Sequence, residues 1–107
     1  MTTFDKREEG FEKKFAIDEE QKFKAEARRN RLLGLWVAEK LGLSGEAAST
    51  YAKEVVAADF EEPGDEDVFR KIRRDFDAKK VAQTDPQIRK AMDDLLETAI
   101  AQIKAGK

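Results

Sequence analysis

The sequence contains no cysteine and no histidine. Without cysteine there is no disulfide framework, no thiolate zinc site and no thiol nucleophile, and the redox compartment is left open. Without histidine the usual acid–base group near neutral pH is missing, as is the commonest ligand for zinc or copper. No apolar run approaches the roughly 20 residues that cross a bilayer. The first ten residues also lack the apolar stretch of a signal peptide, so a soluble cytoplasmic protein is expected. Charge of one sign is missing too. Lys and Arg number 21 against 23 Asp and Glu, a net charge of -2. A strongly basic domain would suggest nucleic acid or anionic lipid; this balance suggests neither, and no direct membrane insertion is expected.

What is present suits helices. Of 107 residues 41% are charged and 40% hydrophobic, with seven Phe beside one Trp, one Tyr and only two Pro. Area scaling gives a folded surface of roughly 6,000 Å² against roughly 18,000 Å² unfolded, enough for one domain with one small core. Breaks at residues 42–45, 62–64 and 84–86 divide the chain into four helical segments, at about 19–41, 45–61, 66–82 and 86–105. In the first, Phe23, Leu33, Val37 and Leu41 share a face, and Gly42 is placed to end it. The second starts from Ser44 as cap, with Glu46 in its first turn and a stripe of Ala48, Tyr51, Ala52, Val55, Val56 and Phe60. The third follows Asp65 as cap, buries Val68, Phe69, Ile72, Phe76 and Val81, and has Glu66 and Asp67 at its positive end. Thr84 or Asp85 caps the fourth, Pro86 suits its first turn, and Ile88, Met92, Leu95, Leu96, Ala99, Ile100 and Ile103 repeat at helical spacing before Gly106. No segment alternates like a strand. The expected fold is all-α, a four-helix bundle over residues 19–107.

Residues 1–18 differ. They hold Phe4, Phe11, Phe15 and Ile17 but no Leu or Val, nearly every other position is charged, and Gly10 interrupts them. On a helical wheel Phe4, Phe11 and Phe15 fall within about 40° of one another. A narrow stripe with a mid-helix glycine is marginal alone, so this segment is expected to be disordered or partly helical when free and to fold on a partner. Two readings stand: an extension that packs on the bundle, or aromatic anchors entering an apolar cleft.

Other motifs have plain explanations. Arg28, Arg29 and Arg31 form the densest cationic patch, able to contact an anion or to serve as the solvated side of a helix. Residues 32–37 are apolar nearly all round, which marks the central helix, and Gly34 within them points to a close helix crossing or a contact surface. Six acids between Asp59 and Asp67 lack the ligand order of a calcium loop, so no metal is expected. No serine has a base to activate it, and no glycine-rich phosphate loop is present, so no catalytic residue is assigned. A binding protein is the reading that remains.

The stretch FKAEARRNRLLGLW at residues 23–36 closely resembles the signature of the zeta-subunit family, the ATPase inhibitors of alphaproteobacterial rotary ATP synthases. So do MTTFDKRE at 1–8, FEKKFA at 11–16, the chain length and the region of Asp75, Phe76 and Asp77. The resemblance implies a regulatory inhibitor rather than an enzyme, with the bundle as carrier and residues 1–18 as a flexible inhibitory arm. It implies that Phe4, Asp5, Lys6, Arg7, Glu8, Phe11, Glu12, Lys13 and Phe15 enter an interface between catalytic subunits and block rotation in the hydrolytic direction. The implied partners are the alpha, beta and gamma subunits of the catalytic head, which holds the protein peripheral to the inner membrane. No cofactor is required, weak adenine-nucleotide binding is admitted without a located site, and a monomer is expected when free. The alternatives are a nucleotide- or nucleic-acid-binding module using the Arg28–Arg31 patch, or a structural adaptor.

Overall fold

A computed structural model describes residues 18–59 and 65–106. Among them the chain forms four helices and no strand: α1 (Glu19–Lys40), α2 (Gly45–Ala58), α3 (Glu66–Ala78) and α4 (Asp85–Lys104). The arm positions named above lie outside the described residues.

The starts of α1 and α4 and the end of α1 have local causes. Asp18 caps α1 through a reciprocal box: its carboxylate accepts from the Gln21 amide at 2.7 Å, and the Gln21 side chain accepts from the Asp18 amide at 3.3 Å. Thr84 and Gln87 build the same box on α4, with Pro86 in its first turn. Such boxes satisfy amide donors that a helix start otherwise leaves unpaired. Ser44 and Asp65 occupy the cap positions of α2 and α3, yet neither side chain bonds to the backbone there. Gly42 ends α1 with a positive φ of 81°, and the Leu43 amide returns to the Ala38 carbonyl at 2.8 Å.

The third helix is shorter than its sequence pattern suggests. It stops at Ala78 rather than near 82, because Lys80 takes the left-handed conformation at φ 57° and the Val81 amide bonds back to the Phe76 carbonyl at 2.9 Å. The geometry is that of a glycine-terminated helix, made here by a lysine and fastened by the apolar contact of Val81 with the core. The described part of α2 ends at Ala58, and residues 60 and 61, to which the pattern extends, lie outside the described residues.

Helix α1 is central, packed along α2 on one side and α4 on the other, with α3 closing the bundle against α2 and α4. The main core joins Leu33 and Val37 of α1, Tyr51 and Val55 of α2, Val68, Ile72 and Phe76 of α3, and Ile88 and Met92 of α4. Trp36 meets Phe76 edge to face, ring centres 6.0 Å apart. A smaller cluster at the other end joins Ala25 to Ala99 and Ile100. Gly34 is where α1 and α2 come closest: a Cβ there would stand 2.5 Å from the Ala52 Cα.

Phe23 departs from the expected core face. It is 62% exposed. The reason is length. The α1–α2 pairing places Asn30 against Asp59, at the end of α2. Phe23 stands seven residues, about 10 Å, further along α1, where the described α2 no longer reaches.

Candidate functional site

The described residues begin at Asp18, whose side chain caps α1. Its backbone is extended (φ -88°, ψ 176°), the non-helical conformation of a cap residue.

The cationic patch is divided by the fold. Arg29 is buried, 1% exposed, and its Nη2 lies 2.8 Å from Asp65 Oδ1. Its Nε donates to Asn30 Oδ1 at 2.8 Å, and Asn30 Nδ2 donates to Asp59 Oδ2 at 2.8 Å. Arg28 is half-buried, with Nη1 3.3 Å from Gln102 Oε1 on α4. Arg31 is exposed. The three arginines therefore face a buried network, a helix–helix seam and the surface.

The network around Arg29 ties α1 to both ends of the α2–α3 connection. Its carboxylates are held together at a cost. Burial pushes the Glu26 carboxyl above the ordinary range, opposed by nearby Lys22 and reinforced by the charges of Asp65 and Asp59. Burial likewise raises Asp59, against the Asn30 hydrogen bond and the charge of Arg29. The Arg29 guanidinium, together with Lys22 near Glu26, thus balances an acidic cluster that otherwise repels itself. The sequence reading missed this cluster; the available signal was Arg29 standing four residues before Leu33, on the same side of α1.

A second polar group lies between α2 and α3. Tyr51 Oη donates to Asp75 Oδ2 at 2.6 Å, and Lys71 Nζ is 3.1 Å from the same oxygen and 4.9 Å from the centre of the Tyr51 ring. Burial, first, and the Asp75 bond push the phenol far above its ordinary value, so this hydroxyl remains a donor. Beside it runs an open groove of about 310 Å³, lined by Glu54, Ala57, Ala58, Asp67, Arg70, Lys71 and Arg74. It mixes three cations with two carboxylates. Among the described residues no group of three acidic side chains is placed to hold a metal ion. No helix among them is long and apolar enough to cross a membrane.

Residues 1–102 match the protein family described as ATPase inhibitor subunit zeta. A protein solved by solution NMR is 52% identical to this chain, with a TM-score of 0.70 over 79% of this chain and 96% of that one. No curated protein matches.

Proposed function

The chain belongs to the ATPase inhibitor subunit zeta family, and from that premise we propose that it inhibits ATP hydrolysis by a rotary ATP synthase through its N-terminal arm. The observation that carries this reading is the span of the family match, which begins at residue 1 and so includes the arm. As a helix, residues 4–18 extend about 22 Å, long enough to wedge between subunits of a catalytic head. In this reading Phe4, Phe11 and Phe15 anchor the arm, while Asp5, Lys6, Arg7, Glu8, Glu12 and Lys13 pair with the rims of the cleft. The block is steric and uses no chemistry of the arm itself. Folding on contact makes the inhibitor reversible, since the ordering cost falls at the moment of binding. The bundle acts as carrier, and the free protein is a monomer.

The division of Arg28, Arg29 and Arg31 weighs against the nucleic-acid alternative, because Arg29 is buried against Asp65 and cannot reach a phosphate without breaking that pair. The functional test is ATP hydrolysis by a cognate catalytic head, with the full chain and with a chain lacking residues 1–17, which retains the Asp18 cap. Inhibition by the full chain alone supports the arm. Equal inhibition by both transfers the activity to the bundle and refutes it.

A further inference from the structure

Phe23 and Leu35 are the large apolar side chains left exposed among the described residues, Phe23 at 62% and Leu35 at 38%. Single exposed apolar residues are ordinary on a protein surface. These two, however, stand on one ridge of α1, linked at four-residue steps through Ala27 and Arg31. The ridge is about 18 Å long. Its border is of mixed charge: Arg31 is exposed, Lys24 is ion-paired with Glu20 at 3.2 Å and stays 59% exposed, and the exposed Glu19 and Glu39 stand one turn beyond its two ends. The ridge turns about 120° around α1 from Phe23 to Leu35, so Phe23 lies on the wheel face of Leu33 and Val37, exposed beyond the end of α2, while Leu35 lies away from that face.

Chain length decides what can reach this ridge. Phe15 precedes Asp18 by three residues, which span at most about 10 Å when extended. Phe23 follows Asp18 by five helical residues, about 7.5 Å. A partner that grips Phe15 therefore has surface within about 18 Å of Phe23. We propose that the ridge of Phe23, Ala27, Arg31 and Leu35 is a second docking surface, seated on the same catalytic-head protein that receives the arm. The patch it meets offers an apolar socket to Phe23 and carboxylates to Arg31. This rests on the arm reading above and adds a division of labour: the arm obstructs, and the ridge sets affinity. With both surfaces on one short connection, the first contact presents the second at high effective concentration.

The test is a titration of ATP hydrolysis by the catalytic head with four full-length proteins: wild type, Phe23→Ser, Arg31→Glu, and a double arm variant, Phe11→Ala with Phe15→Ala. The ridge variants are expected to raise the half-inhibitory concentration roughly tenfold each while reaching the wild-type plateau. Their melting temperatures are expected to be unchanged, since both side chains are exposed. The arm variant is expected to lose the plateau itself. If the ridge variants titrate as wild type while the arm variant fails, the ridge is refuted and the arm stands. If the arm variant titrates as wild type, the arm reading fails whatever the ridge variants do. A wild type without effect overturns both. Because the chain has no cysteine, Ala27→Cys gives a single attachment point for a photo-crosslinker in mid-ridge. An adduct with a head subunit supports the proposal. Adducts only with the chain's own residues 1–17, or only with a second copy, at saturating head refute it.

Discussion

Gly34→Ala sets two well-defined effects against each other. Alanine is the better helix former by about 1 kcal/mol, so on local grounds the change stabilises α1. The tertiary contact opposes it. The new Cβ would lie 2.5 Å from the Ala52 Cα, 3.1 Å from its Cβ and 3.3 Å from Val55 Cγ2. Carbon atoms rest at about 3.5–4.0 Å, so the shortfall is roughly 1 Å, and it is against backbone that no side-chain rotation can move. The helices must separate, loosening the layer of Leu33, Val37 and Val55. Overpacking of this kind costs up to about 3 kcal/mol. Subtracting the gain in propensity leaves about 2 kcal/mol of destabilisation, a fall in Tm of roughly 8–16 °C for a domain of this size. Adding Ala52→Gly removes the lesser clash and leaves the greater, so little stability should return. Thermal melting of both variants by far-UV circular dichroism is the assay. A Gly34→Ala protein that melts at or above wild type refutes the close crossing.

Two further perturbations address the buried network. Asp65→Ala leaves the Arg29 guanidinium, 1% exposed, without the carboxylate that now sits 2.8 Å away. A loss of about 3 kcal/mol is expected, read as a lower urea midpoint at unchanged slope, and a loss within 0–1 kcal/mol, typical of a surface pair, refutes the role given to Asp65. The acids Glu26 and Asp59 supply the pH dependence. Burial raises both above their unfolded values, so the folded state holds their protons more tightly. The stability this confers is full below the unfolded value, at about pH 4, and is lost as pH rises through the folded value. Glu26→Gln should therefore raise Tm at pH 7, with the advantage shrinking as pH falls toward 4; an advantage that is constant with pH rules out the cluster as its origin.

Much of the bundle can be read locally. Apolar residues recur at helical spacing on all four segments, Gly42 and Gly106 take the positive φ that ends a helix, and Thr84, one of the two cap candidates before Pro86, caps α4. The close crossing at Gly34 also follows, since a glycine in an apolar stretch is tolerated where another backbone approaches. The end of α3 was not legible. Lys80 is an ordinary helix former, and only the return of Val81 to the core holds it in a left-handed turn. Nor was the fate of Arg29, whose sequence neighbours Arg28 and Arg31 suggest a surface patch. Its burial depends on Asp65, 36 residues away at the start of α3, and, through Asn30, on Asp59 at the end of α2.

By itself, then, the sequence determined the number of helices, where most of them begin and end, and the likeness of the chain to an inhibitor family. These depend on periodicity and capping, which act within about four residues along the chain. The tertiary structure alone decided which polar and aromatic residues of α1 are covered. Both Phe23 and Arg29 fall on the buried side of the helical wheel, yet Arg29 meets Asp65 at the start of α3 and disappears, whereas Phe23 lies beyond the end of α2 and faces outward. Burial depends on how far a neighbouring helix reaches, and that length is a property of the assembled bundle.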